Sequence, residues 1–299
     1  MKTMHYSNPN FNRASELRLT PHLINNDDLV LIIDKDLFVF DNSDETLKAK
    51  WLPVHKLNLK NKNLLFLGVD SNKKQLWATQ LENIKNIKSL LSNTLSHNIR
   101  DVFKRVSDKE KALLTYASGI IKWSLNSNFC GVCSSKTITQ EHGHSKICIS
   151  EKCKTIFYPQ ISPAIIVLIE HQSKIGTPKC LLQTRNYKGK AICSTFAGFV
   201  EIGESLEDAV KREMKEEVNV EITSLQYINS QPWMFSSSLM IGYFAQVDSE
   251  DYSVDGIEIK NAKWFTAEEL KDLVNKKEIQ LSLPDSIARY LIESWINKN

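Results

Sequence analysis

Between Gly198 and Val220 the chain reads GFVEIGESLEDAVKREMKEEVNV, and five residues within it, Glu204, Arg212, Glu213, Glu216 and Glu217, could together organise a divalent cation. Ser205 followed three residues later by Asp208 forms a capping box that opens a helix. At about 100° per residue, Leu206, Ala209, Val210 and Met214 share one face, while Asp208, Lys211 and Lys215 point the other way. A solvated charge run, the ordinary reading of KREMKEE, would put the glutamates on the lysine side. Instead, Glu213 and Glu217 project within the apolar arc and Glu216 at its edge. Grouping anions against the protein is costly unless a positive charge compensates them. A hard cation with oxygen ligands, Mg²⁺ or Mn²⁺, resolves that conflict.

These residues resemble the box of the Nudix hydrolases: G, five residues, E, seven residues, then R-E-apolar-x-E-E-x-G-apolar. Gly198, Glu204, Arg212, Glu213, Met214, Glu216, Glu217 and Val220 fill eight of its nine defined positions, and Asn219 stands where the family has glycine. Asparagine is the next-best residue at positive φ, so the helix end is still expected to turn there. The resemblance implies metal-dependent diphosphate hydrolysis, with Glu213 and Glu217 as core metal ligands and Glu216 assisting. It implies that Arg212 and Glu204 pair to orient the site.

Four of the six cysteines fall within 24 residues, as Cys130-Gly-Val-Cys133 and Cys148-Ile-Ser-Glu-Lys-Cys153. Two close pairs joined by a loop suit a tetrahedral Zn²⁺ site, each pair offering two thiolates. The amino terminus has no apolar h-region, so no secretory signal is read and disulfides are not expected. The wider spacing of the second pair leaves His142 or His144 as substitutes for Cys153, but a closed, structural four-cysteine site is the expectation. Cys180 and Cys193 read as small buried strand residues.

The elements that must position these groups suggest an α+β multidomain chain of 299 residues with 42% hydrophobic content. Its length alone suggests about two domains; its motifs divide it into an N-terminal α+β domain (1–125), a zinc ribbon (126–158) and a C-terminal domain (159–299). Residues 29–40 read as a hairpin turning at Asp34-Lys35-Asp36, LLFLGV and QLWATQL as strands, and 84–104 as a helix. A further helix opens at a second capping box, Ser107 and Glu110, and runs to about Asn126. AIIVLIE, KCLLQTR and ICSTFAGF are strand candidates before the box. SSLMIGYFAQV follows it as a strand, with helices over AEELKDLVNK and DSIARYLIESWINK. Strands on both sides of a helix imply a mixed sheet between helical layers; the Nudix α/β/α sandwich is what the resemblance adds. No stretch approaches the roughly 20 apolar residues of a membrane span. The formal charge of +3 neither demands nor excludes nucleic acid, and a cytoplasmic location is expected.

A zinc segment directly before a Nudix domain resembles the NADH pyrophosphatase branch, as do the opening residues SNPNFNRASELR. That branch carries S-Q-P-W-P-F-P-x-S, which Ser230, Gln231, Pro232, Trp233, Met234, Phe235, Ser236, Ser237 and Ser238 match at six of eight defined positions. Met234 and Ser236 replace two prolines, so this segment is expected to be a less rigid loop. By resemblance Gln231 to Ser238, Tyr158, Phe199 and Ala288 contact substrate. Ala197 lends a backbone carbonyl and Glu258 a carboxylate to the catalytic metals. The implied reaction splits NADH or NAD⁺ into AMP and the reduced or oxidised nicotinamide mononucleotide, and removal of NAD caps from RNA is an activity of the same branch. A homodimer is also implied. Hydrolysis of ADP-ribose, another dinucleotide or a nucleoside triphosphate remains the alternative enzyme reading. A non-catalytic nucleotide sensor or nucleic-acid-binding module is opposed by the intact carboxylates.

Overall fold

Alternating apolar residues in β12 (Ser162–His171) divide the C-terminal core in two: Ile165, Val167 and Ile169 face one helix, while Ile166 and Leu168 face two others. This is seen in a computed structural model that describes residues 3–7, 11–19, 24–41, 46–59, 64–172, 176–187 and 189–299. Residues 8–10 of the SNPNFNRASELR segment lie outside the described residues. The chain divides into two compact units, Tyr6–Gln160 and Ile161–Asn299 with Met1–His5.

In the first unit, β1 (Leu29–Asp34) and β2 (Leu37–Asp41) form the expected hairpin, with Lys35 at φ 57° in the two-residue turn. The remaining strands are β3 (Trp51–Pro53), β4 (Asn58–Leu59), β5 (Leu65–Val69), β6 (Gln75–Gln80), β7 (Ile84–Lys85) and β8 (Thr94–His97). A six-stranded sheet runs β5-β6-β1-β2-β8, with β3 on β1; β4 pairs with β7. Val30, Ile32, Val39, Phe66 and Trp77 fill its core. Residues 84–104, read from sequence as a helix, are instead β7, a 3-10 turn (Ile87–Leu91), β8 and a second 3-10 turn (Phe103–Arg105). Asn86 at φ 57° breaks any helix at its start, and Thr94-Leu95-Ser96-His97 alternates and pairs with β2. Helix α1 (Asp108–Asn126) starts at Ser107, whose hydroxyl accepts from the Glu110 amide. The Glu110 carboxylate leaves the box and accepts from the Ala49 amide at 2.5 Å.

Residues 126–158 fall within the same compact unit. Their strands β9 (Thr137–Gln140), β10 (Ser145–Cys148) and β11 (Ile156–Phe157) form a small sheet in the order β11-β10-β9.

The second unit continues from β12 with β13 (Lys179–Tyr187), β14 (Lys190–Ser194), β15 (Phe196–Phe199), α2 (Leu206–Val218), β16 (Ser224–Trp233), β17 (Ser238–Val247), β18 (Ala262–Thr266), α3 (Ala267–Asn275), β19 (Ile279–Leu281) and α4 (Ile287–Lys298). The sheet order is β16-β17-β12-β13-β14-β19, with β15 on β12 and β18 on β13. The β12–β17 and β14–β19 pairs are parallel and the others antiparallel, so the sheet is mixed. Ala209, Val210, Met214 and Val218 of α2 cover one face. Leu270 of α3 and Leu291, Ile292 and Trp295 of α4 cover the other, together with buried Cys180 and Cys193.

Candidate active site

Helix α2 carries the acidic residues, and its ends are fixed by local chemistry. Ser205 and Asp208 close the capping box in both directions. At the other end Asn219 adopts φ 54° and ψ 40°, the left-handed turn for which its side chain is suited. Burial of Val210, Met214 and Val218 stabilises the docked helix by roughly 1.5–3 kcal/mol each before entropy is counted. That gain holds Glu217 against the sheet, where it is only 5% exposed. Glu213 is largely covered as well, whereas the Glu216 side chain is 60% exposed.

Arg212 organises the near side. Its Nε and Nη2 donate to the two oxygens of Glu204 at 2.5 and 3.0 Å, a bidentate pair. Nη1 reaches Glu216 at 3.0 Å and Glu213 at 2.9 Å, and Nη2 also donates to the Phe199 carbonyl. The guanidinium and the Glu201 amide hold Glu204 below the usual carboxylate range. Gly198 explains the close approach of β15: a Cβ there would lie 2.0 Å from Glu213 Cδ. Glycine at this position is therefore a spatial requirement of the Glu213 carboxylate.

Glu217 is the most perturbed carboxyl. Burial, followed by the charges of Glu213, Glu258, Asp255 and Glu216, pushes it up to about 8. Its Oε2 is buried with no hydrogen-bond partner. A buried oxygen lacking a donor, on a carboxyl that feels the charges of four others, suits a hard divalent cation such as Mg²⁺ or Mn²⁺, although among the described residues only the four cysteines bring their ligand atoms within 4.8 Å of one another. Glu258 lies in the irregular segment before β18, close enough for its charge to act on Glu217. Asp255, which sequence reasoning missed, belongs to the same group. Its signal was available as Asp-Gly three residues before Glu258, a pairing that favours an Asx turn.

Other expected contacts have different surroundings. Ala197 and Phe199 lie on β15 and are exposed, Phe199 by 56%. The segment read as a loop is the end of strand β16 followed by a short turn: Ser230 to Trp233 pair with Ser238 to Ile241 of β17. Pro232 is tolerated because β16 is an edge strand. Gln231, expected at a substrate contact, is fully buried. Its amide donates to the carbonyls of Asp285 (2.7 Å) and His5 (3.2 Å), and its oxygen accepts from the Ile287 amide (2.7 Å). With those polar atoms engaged, its work is to tether the start of α4. Ala288, also expected at substrate, is 5% exposed and faces the core from the first turn of α4. Trp233 and Phe235 remain partly accessible, their rings 4.9 Å apart and edge-on. Met234 and Ser237 are half-buried; Ser236 is exposed and its hydroxyl meets that of buried Ser238 at 3.0 Å. Tyr158, 56% exposed, belongs to the first compact unit.

The cysteine cluster is built by two turns of that first unit. Cys130, Cys133, Cys148 and Cys153 place their sulfurs within 4.8 Å of one another, with Cys130–Cys153 at 3.7 Å and Cys133–Cys148 at 3.4 Å. Tetrahedral Zn–S bonds of about 2.3 Å would separate sulfurs by about 3.8 Å, so the four fit Zn²⁺. All are free of disulfides. Ser134 and Lys154 take positive φ, closing each pair, and the wide second spacing is absorbed by Cys153 and Lys154 amides donating to Ser150 O. Hydrogen bonds from Ser135 pull Cys133 down to about 6, toward the thiolate a metal needs. The alternative histidine ligands are engaged elsewhere. His144 Nε2 meets the Phe66 carbonyl at 2.8 Å and is pulled down to about 4 by burial, while His142 packs edge-on against Trp77.

Comparison with known proteins bears on both parts of the chain. The family model of the NUDIX domain matches residues 160–285. The NAD-capped RNA hydrolase NUDT12 of Homo sapiens is 36% identical over 204 residues, covering 65% of this chain and 44% of that protein. The NAD-capped RNA hydrolase NudC of Pseudomonas aeruginosa is 37% identical over 184 residues, covering 62% of this chain and 61% of its own length. Nudix hydrolase 19, chloroplastic, of Arabidopsis thaliana is 37% identical over 167 residues, 54% of this chain and 37% of that protein. The chain thus spans between 37% and 61% of the length of these relatives.

Proposed function

We propose that this chain, which belongs through residues 160–285 to the NUDIX domain family, hydrolyses the diphosphate bond of NADH or NAD⁺ to AMP and nicotinamide mononucleotide, and removes NAD caps from RNA. The observation that carries the chemistry is Glu217: a buried carboxyl without a partner on Oε2, whose affinity for a proton is raised by burial and by the charges of Glu213, Glu258, Asp255 and Glu216. The substrate is supported by the relatives named NAD-capped RNA hydrolase, one of which aligns over 61% of its own length.

In this reading Glu213, Glu216, Glu217 and Glu258, with the Ala197 carbonyl, hold Mg²⁺ or Mn²⁺, and the four cysteines hold a structural Zn²⁺. The bound divalent ions supply positive charge against the diphosphate oxygens and make water more acidic. Arg212 fixes Glu213 and Glu216 at once, and Glu204 fixes Arg212, so the ligand set is preorganised before substrate arrives. Glu216 or Glu217 would accept the proton of the attacking water in this reading. Phe199 offers an exposed ring for stacking on a base, and Trp233 with Phe235 a second aromatic surface. Gln231 is buried and ties the start of α4 to β16, and Ala288 is buried in the core, so in this reading their contribution is structural. The protein works in this reading as a cytoplasmic homodimer. Among the described residues no helix is long and apolar enough to cross a membrane.

The test is a product analysis. Purified protein is mixed with NADH, NAD⁺, ADP-ribose, a nucleoside triphosphate or NAD-capped RNA, with Mg²⁺ or Mn²⁺, and the products are separated by chromatography. AMP and reduced nicotinamide mononucleotide should appear from NADH. Absence of AMP from NADH and NAD⁺ while ADP-ribose is split would replace the proposed substrate with the alternative one.

A further inference from the structure

The loop that carries Glu258 is folded around a single side chain. Asp255 Oδ2 accepts from the Glu258 amide at 2.8 Å and Oδ1 from the Ile259 amide at 2.9 Å; the Ile257 amide bonds to the same carboxylate. Gly256, at φ 70°, closes the turn through a bond to the Ile259 carbonyl. On one side of Glu258, Ile259 is buried in the core beneath α2; on the other, Ile257 is 79% exposed. Glu258 itself is exposed, next to buried Ile259.

The same loop is tied to the end of α2. The Ser253 amide donates to Val218 O at 3.1 Å and the Asp255 amide to Glu217 O at 3.0 Å. A third bond runs from Asn219 Nδ2 to Ser253 Oγ at 3.2 Å. Asn219 is the residue that departs from the family box, and a glycine there could not make this last bond. The helix that presents Glu217 and the loop that presents Glu258 are therefore joined at the backbone of Glu217 itself.

We infer that Asp255 is a positioning residue: by folding residues 255–259 around its carboxylate it holds Glu258 beside Glu217, and the bonds from the Ser253 and Asp255 amides to Val218 O and Glu217 O, with that from Asn219 Nδ2 to Ser253 Oγ, latch that turn to the ligand helix. This rests on the reading of Glu217 and Glu258 as joint metal ligands, and not on which dinucleotide is cleaved. In this inference Asp255 acts through Glu258, because its carboxylate accepts from the amides of the turn that carries Glu258.

The experiment measures Mn²⁺ binding by the electron paramagnetic resonance signal of the free ion, with the full-length, zinc-loaded protein. The variants are Asp255→Ala, Asp255→Asn, Glu258→Gln and the Asp255→Ala/Glu258→Gln pair. Asp255→Ala should weaken Mn²⁺ binding about 10- to 100-fold, the usual effect of removing a residue that orients a ligand. Asp255→Asn, which keeps one acceptor oxygen, should weaken it less, and it carries the comparison should the alanine variant fail to fold. The double variant should bind no more weakly than Glu258→Gln alone, because the two losses share one cause. Amide hydrogen exchange over residues 253–259 should quicken in Asn219→Gly. Wild-type Mn²⁺ affinity in both Asp255 variants, or full additivity with Glu258→Gln, would overturn the inference. Loss of NADH cleavage by the wild type with the Asp255–Glu258 coupling intact would remove only the substrate assignment.

Discussion

Replacing Glu217 by glutamine should stabilise the protein when Mg²⁺ and Mn²⁺ are absent, although it should abolish the proposed activity. The carboxyl rises from 4.5 toward about 8 in the folded protein. Between those values the folded state keeps a proton that the unfolded chain has released, so stability falls as pH rises through the window and levels off above it. At about 1.4 kcal/mol per pH step the total is at most about 5 kcal/mol, of which about 3 kcal/mol has been lost by pH 7. Glutamine has the same shape and no charge to bury. The Gln variant should therefore match wild type near pH 5 and exceed it by about 2–5 kcal/mol at pH 8. Urea denaturation of both proteins from pH 5 to pH 9, in buffer scrubbed of Mg²⁺ and Mn²⁺ with zinc retained, reads this as a difference in midpoint. Added Mn²⁺ should reverse the order at pH 8, because only wild type can convert the buried charge into a ligand. An equal stability difference at pH 5 and pH 8, or none at either, would refute the argument that Glu217 is a strained, metal-seeking carboxylate.

Gly198→Ala should place a methyl group on the Glu213 carboxylate, 2.0 Å from Cδ, and displace that flexible side chain rather than unfold the sheet. Mn²⁺ affinity should fall by about a hundredfold with little change in circular dichroism. Cys130→Ser should lower zinc content from about one ion per chain, measured by atomic emission, and lower the thermal stability of residues 6–160. Gln231→Leu should cost about 2–5 kcal/mol in urea denaturation, because it leaves the Ile287 amide and the Asp285 carbonyl without their buried partner. A smaller loss would mean that the tether to α4 is dispensable.

Local rules made α2 legible: apolar residues at helical spacing, a capping box at Ser205 and an asparagine suited to positive φ at Asn219 all act within a few residues of one another. The same logic located α1, α3 and α4. It failed over residues 84–104, where Ile84, Ile87, Leu90 and Leu91 imitate helical spacing but Asn86 turns left-handed and β8 is claimed by its partner β2. Pairing across 50 residues is not written in any window around β8. The burial of Gln231 was illegible for a related reason. A glutamine before Pro-Trp looks like a surface donor, and only the return of α4 and of His5 to its side buries it. The grouping of the four thiols was legible from their paired spacing, but the engagement of His142 and His144 elsewhere depended on Trp77 and Phe66, which lie more than 60 residues earlier in the chain.

The site's geometry also explains why its acidic residues sit on a helix and a loop tied together rather than on one element. Residues at i, i+3 and i+4 bring Glu213, Glu216 and Glu217 to neighbouring positions of α2, but a single helix face cannot surround a cation. In the proposed metal site the remaining side would come from another segment, and carboxylates on two unlinked segments would repel and separate without the cation. Arg212 counters that repulsion on the exposed side, through Glu204, Glu213 and Glu216. On the buried side no cation among the described residues bonds Glu217, and the backbone bonds from Ser253 and Asp255 hold the loop in place instead. Hydrogen bonds between amides and carbonyls do not depend on the state of the metal site. They keep the loop that carries Glu258 attached to the backbone of Glu217 whether or not the proposed divalent ion is bound.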